Sequence, residues 1–229
     1  MCFSAEASFA AAAVLVPVGA YSLKLAVQND RRYIVVASFP LLFGIQQAVE
    51  GVLWLGLAGQ EGPNIRLAAL GFLFFAFWLW PFLVPLSAYA LEQRAFRKLV
   101  FKGLAAIGFL FGLSLFLPLL TYPDWLAIER AQGSILYDTR LVYDDFIARN
   151  TVRFGYAVII SVPLLFSTQP KLRVFGMLIL TSVVIGGFVF HYAFISIWCF
   201  FAALLSLYIG YMMHSTFHDG ATSSTTNRQ

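Results

Sequence analysis

Apolar residues are grouped along this chain into long runs separated by short polar breaks, a pattern typical of membrane-spanning helices. Six runs separate cleanly, and the last is too long for one crossing of about 20 residues. We divide that run near Gly186, Gly187 and His191. The pattern therefore predicts seven transmembrane helices over residues 5–23, 34–57, 67–90, 99–119, 152–166, 174–190 and 193–213.

Composition extends this prediction to the whole chain. Of 229 residues, 60% are hydrophobic and only 11% are charged, and the mean hydropathy is +0.80. A soluble domain carries about 25% charged residues, so no part of this chain has enough polar surface to form a separate soluble unit. We expect an all-α fold with one seven-helix domain over 1–218 and a disordered polar tail over 219–229. Continuous apolar runs also argue against a β-barrel, whose strands would alternate.

Residues 122–150 form the longest connection between predicted helices. This segment mixes charged residues with Trp125, Ile128, Ile135 and Leu141. Such a mixture suits a short helix lying at the membrane surface. We therefore predict an outer-side loop containing an interfacial helix, acting either as a lid over a binding site or as a structural cap.

The distribution of Lys and Arg predicts the orientation of the chain. Basic residues concentrate on the cytoplasmic side of bacterial inner-membrane proteins. With seven helices, one side receives ten of the 15 basic residues, and so we place the N-terminus outside and the C-terminus in the cytoplasm. The net charge of +4 then reflects the excess of Lys and Arg on the cytoplasmic side of the membrane. It does not indicate nucleic acid binding, because no basic cluster is interleaved with stacking aromatics on a soluble face.

Glu50 is the most informative single residue, because it is the one charge in the apolar run 34–57. A carboxylate at membrane depth costs roughly 2.5–3.5 kcal/mol and is typical of a functional group facing the protein interior. Gln46, Gln47 and Trp54 lie three or four residues from Glu50 and so share its helix face. Gly51 allows another helix to approach closely.

Other reactive side chains are expected at the same outer level of the bundle. Cys2 lies near the outer mouth, His191 at the outer end of helix six, and Cys199 one to two turns into helix seven. Glu50, His191 and Cys199 match the ligand types of a divalent metal such as Zn²⁺. Glu50, Gln47, His191, Cys199 and Cys2 could equally serve as acid, base and nucleophile. The plainer interpretation is a protonated Glu50 bonded within the bundle, an interfacial His191 and a simply buried Cys199.

Three sequence blocks resemble a family of bacterial multi-pass membrane proteins of unknown function. They are the opening Met-Cys-Phe-Ser-Ala-Glu, the helix-two block 47–54 and the helix-seven block 198–203. The run 195–206 is also similar to the last helix of the alkaline ceramidase and adiponectin-receptor superfamily of seven-helix zinc hydrolases. In that superfamily two His lie four apart, where this chain has Ile195 and Cys199. That resemblance implies zinc-dependent hydrolysis as an expectation.

Three functions follow as hypotheses. The first is a membrane-embedded hydrolase or lipid-modifying enzyme of the bacterial inner membrane, centred on an outward-facing polar pocket around Glu50. The second is a carrier or channel for a small solute or a proton, since an intramembrane acid is the usual seat of proton coupling. The third is a lipid-binding subunit of a membrane complex. Membrane lipids are the expected partners, together with a homo-oligomer or a membrane-complex subunit.

Overall fold

The computed structural model of the chain describes residues 4–59, 65–131, 133–189 and 194–217. Its described part is a bundle of seven helices with one small β-hairpin. The last helix, α7, is interrupted at Ser206. The helices are α1 Ala5–Asn29, α2 Arg31–Leu57, α3 Ile65–Leu91, α4 Ala95–Thr121, α5 Arg149–Leu165, α6 Pro170–Val189 and α7 Phe194–Leu205 continued as Leu207–Phe217.

Five of these helical segments are long and apolar enough to cross a membrane: α1, α2, α3, α4 and the Trp198–Phe217 part of α7. The outer surface of α4 is notably apolar, with Phe96, Leu99 and Leu110 each more than half exposed. Exposed apolar surface of this extent is suited to lipid rather than water. The prediction of a largely helical membrane protein is confirmed.

Helices α1 and α2 form an antiparallel pair that glycines allow to approach closely. A Cβ at Gly19 would lie 2.2 Å from the backbone nitrogen of Leu41. A Cβ at Gly51 would lie 2.8 Å from the ring of Phe9. The close approach expected at Gly51 is therefore present, and its partner is α1. At the start of α1, Ser4 caps the helix by accepting a hydrogen bond from the backbone nitrogen of Ala7 at 3.3 Å.

Helices α3 and α4 pack still more tightly, around an irregular turn. A Cβ at Gly108 would lie 1.9 Å from the carbonyl oxygen of Pro81. Just before Pro81, α3 widens into a π-helical turn over Phe74–Leu79. Such turns release backbone carbonyls from the regular ladder and are frequent at functional sites. Here the Tyr156 hydroxyl of α5 donates a hydrogen bond to the carbonyl of Ala76.

At one end of the bundle, polar contacts join the connections between helices. The Glu92 carboxylate accepts hydrogen bonds from the backbone nitrogens of Gln93 at 3.0 Å, Arg94 at 2.9 Å and Thr168 at 3.0 Å. Burial alone would raise the pKa of Glu92, but these backbone donors hold it below its ordinary value. One carboxylate thus fastens the α3–α4 turn to the α5–α6 turn.

The prediction of an interfacial helix within 122–150 is wrong for the centre of that segment. Leu126–Ala131 (β1) and Ser134–Thr139 (β2) form an antiparallel hairpin, with Leu126 paired to Thr139 and Ala131 paired to Ser134. Gly133 turns the chain with a φ of 75°, a backbone conformation that favours glycine. Alternating burial along β2 buries Ile135 and Tyr137 while Asp138 is exposed, which is the period of a strand rather than of a helix.

Candidate functional site

The Glu50 side chain points into the bundle and joins α2 to α7. Ser196 Oγ donates a hydrogen bond to Glu50 Oε1 at 2.6 Å, and Gln47 Nε2 donates to Glu50 Oε2 at 3.2 Å. All three side chains are buried, and Glu50 is only 2% exposed. Each carboxylate oxygen therefore has a donor, which offsets part of the cost of burying this group.

A second polar contact lies one turn from the first. Trp80 Nε1 of α3 donates to Gln46 Oε1 at 2.8 Å, so the Gln46–Glu50 face binds α3 as well as α7. Cys199 of α7 is within hydrogen-bonding reach of Gln46. Among the described residues, Gln46 Nε2 and Gln47 Oε1 have no conventional hydrogen-bond partner although both are buried. Unsatisfied buried polar atoms of this kind are typical of sites that hold water or a ligand.

The hairpin covers this polar cluster near the C-terminal end of α2. Tyr137 of β2 stacks on Phe72 of α3 with ring centroids 5.0 Å apart, and Arg130 of β1 lies over the Trp54 ring at 5.3 Å. Burial, with Glu50 nearby, raises the pKa of the Tyr137 phenol well above its ordinary value. Tyr137 is thus a neutral hydroxyl, and it has no hydrogen-bond partner among the described residues.

A cavity of about 100 Å³ lies between the hairpin and helices α3, α4, α5 and α7. Its inner end is formed by buried side chains and its open end by the exposed Arg149 and Arg153. Glu50 is not among the residues that line this cavity. The lining residues are Ala76, Phe77, Leu115, Tyr137, Thr139, Leu141, Arg149, Val152, Arg153, Tyr156, Ile195, Trp198 and Cys199.

Arg149 at the cavity mouth is fixed in position by the loop after the hairpin. Its Nε donates to Asp144 Oδ1 at 2.9 Å, and its Nη2 donates to Asp144 Oδ2 at 2.8 Å and to the Thr139 carbonyl at 2.7 Å. Burial alone would raise the pKa of Asp144, but the Arg149 guanidinium and the backbone nitrogen of Leu141 hold it below its ordinary value. This bidentate pair ties the hairpin to α5.

A second cavity of about 20 Å³ shares Trp198 and Cys199 with the first. Its other lining residues are all apolar or aromatic and include Phe43 and Trp80, whose stacked rings have centroids 3.8 Å apart. Cys199 therefore lines both cavities: the larger one, which is partly polar, and the smaller one, which is apolar.

The structure brings Glu50, Gln47 and Cys199 to one level, as the sequence predicts. Cys2 and His191 lie outside the described residues. Within the described ranges no group of three His, Cys, Asp or Glu side chains could hold a metal. His191, one of the three predicted ligands, lies outside those ranges. Sequence reasoning missed Ser196, although its three-residue spacing from Cys199 on one helix face was a usable signal.

Residues 1–223 match the model of a family of unknown function, DUF6629. The chain belongs to this family. No curated protein and no solved structure matches it. The comparisons therefore support the resemblance to an uncharacterised family. They lend no support to the ceramidase resemblance.

Proposed function

We propose that this protein is a membrane-embedded hydrolase or lipid-modifying enzyme whose reaction centre is the Ser196–Glu50 pair. The observation that carries the proposal is the 2.6 Å hydrogen bond from Ser196 Oγ to Glu50 Oε1 inside the bundle. A hydroxyl bonded to a buried carboxylate has the arrangement of a nucleophile beside its general base.

The pair supports acyl transfer from an ester or amide. Ser196 Oγ attacks the carbonyl carbon while its proton passes to Glu50, and the leaving group takes that proton as its bond to the acyl carbon breaks. Water then cleaves the acyl-serine, with Glu50 accepting a proton from the water and returning one to Ser196. Ile195 and Cys199, one residue before and three residues after Ser196 on α7, line the cavity. A substrate there therefore lies beside α7 at the level of Ser196, which is itself outside the lining.

In this proposal Gln47 and Cys199 do not react with the substrate, but they position the reacting groups and bound the cavity. Gln47 Nε2 bonds the second carboxylate oxygen and so holds the Glu50 side chain in the orientation that faces Ser196. Cys199 separates the cavity from Gln46. The metal-dependent version instead has Glu50, Cys199 and His191 as ligands, and Cys2 as a further nucleophile or ligand. Metal analysis of the purified protein, with and without Glu50→Gln, distinguishes the two versions.

The same proposal includes seven spans in a bacterial inner membrane, with the N-terminus outside. Helices α5 and α6 would be the two further spans, at 17 and 20 residues. Support comes from the basic residues at the end opposite the cavity, where Arg97 Nη1 donates to the Phe166 carbonyl at 2.8 Å and Lys171 Nζ donates to Ser215 Oγ at 2.7 Å. The cavity and the hairpin would then face outward.

The test uses a serine-directed fluorophosphonate on the purified protein in detergent, together with hydrolysis of a panel of ester and amide lipids. We expect labelling and turnover in the native chain and in Ser206→Ala, but neither in Ser196→Ala. Ser206 is the matched control, because it is buried on the same helix and donates to the Ala203 carbonyl instead. Labelling that persists in Ser196→Ala, or a native protein that neither labels nor turns over lipid, contradicts the proposal.

A carrier is the second candidate, favoured by two neighbouring cavities that share Trp198 and Cys199 in their linings. Proteoliposome flux that is lost in Glu50→Gln, with no labelling of Ser196, would favour this function over the enzyme.

A further inference from the structure

The larger of the two cavities, of about 100 Å³, has only positively charged side chains among its charged lining residues. Its lining contains two guanidinium groups, Arg149 and Arg153, and no carboxylate. These residues are four apart on α5 and so lie on one helix face. Asp144 and Asp138 are outside the lining but pair with Arg149: Asp144 fixes its orientation at 2.8 Å, and Asp138 is 3.9 Å away. The open end of the cavity thus presents donors that suit an anion.

Aromatic side chains dominate the inner part of the same cavity. Phe77, Tyr137, Tyr156 and Trp198 come from three helices and the hairpin and surround its inner end. Tyr156 and Trp198 themselves meet edge to face, with centroids 5.3 Å apart. Aromatic walls of this kind prefer a flat ligand that can stack or meet a ring edge.

The size of the cavity limits what such a ligand can be. Its volume of about 100 Å³ is on the order of the ~150 Å³ engineered cavity that admits one benzene molecule. A single ring matches this space. The Tyr137 hydroxyl also lines the cavity, is in a side chain only 5% exposed, and has no described hydrogen-bond partner.

We propose that this cavity binds a small planar aromatic carboxylate, with its ring among Phe77, Tyr156 and Trp198 and its carboxylate toward Arg153 and Arg149. The Tyr137 hydroxyl donates to the ligand and so gains the partner it lacks. Arg and carboxylate form strong charge-assisted hydrogen bonds, and a mostly apolar pocket with a few placed donors is the usual form of a small-molecule site. This inference goes beyond the proposed function, because binding does not require Ser196 to react.

The test is titration of the purified full-length protein in detergent with benzoate, followed by calorimetry and by intrinsic tryptophan fluorescence. We expect saturable binding of benzoate. The neutral isostere benzamide should bind about tenfold or more weakly, since it loses a charge-assisted contact. The non-planar cyclohexanecarboxylate should also bind more weakly.

Matched variants locate the site. Arg153→Gln should weaken benzoate binding by about tenfold or more, and Tyr137→Phe should weaken it to a smaller extent. Arg140→Gln should leave binding unchanged, because Arg140 is paired with Asp145 at 3.6 Å and lies outside the lining. Equal binding of benzoate and benzamide by the native protein, or equal effects of Arg153→Gln and Arg140→Gln, overturns the inference.

Ser196→Ala separates this inference from the enzyme proposal. That variant should bind benzoate as the native chain does, because Ser196 is not part of the lining. Benzoate binding without serine labelling supports the cavity and contradicts the enzyme. Serine labelling without benzoate binding supports the enzyme and contradicts the cavity inference. Size-exclusion and thermal-unfolding profiles confirm that each variant is folded before it is titrated.

Discussion

Trp80 Nε1 donates a 2.8 Å hydrogen bond to Gln46 Oε1, and this contact holds α3 against the polar face of α2. Both side chains are buried, with Trp80 only 3% exposed. The indole therefore both fills the core and satisfies an amide oxygen that would otherwise be buried without a donor. This one contact links two of the helices around the candidate site.

Trp80→Phe should destabilise the protein, because it leaves the Gln46 oxygen buried without its donor. An unsatisfied buried acceptor costs about 1–3 kcal/mol. Thermal unfolding in detergent, followed by near-ultraviolet circular dichroism, measures the effect. Trp78→Phe is the matched control, since the Trp78 indole nitrogen has no described partner and the ring contacts to Phe74 and Phe109 can be kept. Equal losses in the two variants would show that the hydrogen bond contributes little.

Gly108→Ala should disrupt the α3–α4 contact. The added Cβ would lie 1.9 Å from the Pro81 carbonyl oxygen, so the helices must separate. Overpacking of this kind typically costs about 1–3 kcal/mol, and we expect a lower unfolding temperature with a broader size-exclusion peak. Gly103→Ala lies on the same helix, where a Cβ meets nothing within 4 Å, and should be neutral. A Gly108→Ala protein as stable as Gly103→Ala would rule out this close contact.

Glu92→Gln should destabilise the protein at neutral pH. The carboxylate uses one oxygen for Gln93 and Arg94 and the other for Thr168, and an amide would turn a donor toward one of these nitrogens. Because the folded pKa of Glu92 is lowered, its contribution is fully present above the ordinary Glu value of about 4.3. It is lost as the pH falls through the folded pKa.

Unfolding temperatures at pH 7 and at pH 3 measure this contribution. The difference between native and Glu92→Gln proteins should be several degrees at pH 7 and should shrink in acid. Glu129→Gln, on the exposed face of the hairpin, should change little at either pH. A pH-independent difference at Glu92 would mean that ionisation of this group does not contribute to stability.

Cysteine labelling tests the orientation. In a chain with Cys2 replaced by Ser, we expect Asp138→Cys in the exposed part of the hairpin to react with a membrane-impermeant maleimide added outside intact cells. Arg31→Cys, exposed at the start of α2, should react only after the membrane is opened. Cys199 is buried and should contribute little background. The reverse pattern would place the cavity and the hairpin on the cytoplasmic side.

The sequence was sufficient for the helices and for the inward direction of Glu50. Both depend on strong local signals: long apolar runs, and one carboxylate whose burial in lipid would be costly. The hairpin was missed because its strands are six residues long and mix charges with apolar residues. The Gln132-Gly133 pair and the alternation along β2 were the available signals for a turn between strands.

The side chains that form the candidate site were harder to predict from the sequence than its position in the bundle. Ser196 is 146 residues from Glu50 in sequence, and a serine in an apolar helix more often bonds its own backbone, as Ser182 and Ser206 do. Only three-dimensional packing distinguishes these cases. The cavity also depends on Tyr137, which lies in β2 of the hairpin. Because the sequence pattern predicted a helix in place of the hairpin, it did not predict the wall of the cavity that the hairpin forms.

The long separation between Glu50 and Ser196 also has a consequence for biosynthesis. Ribosomes add about 5–20 residues per second, so Glu50 is made roughly seven to thirty seconds before Ser196, which lies 146 residues later. During that interval Gln47, on the same helix, is the donor already at hand for the carboxylate. We therefore expect the loss of Gln47 to lower the membrane insertion of α2 before it affects the finished fold.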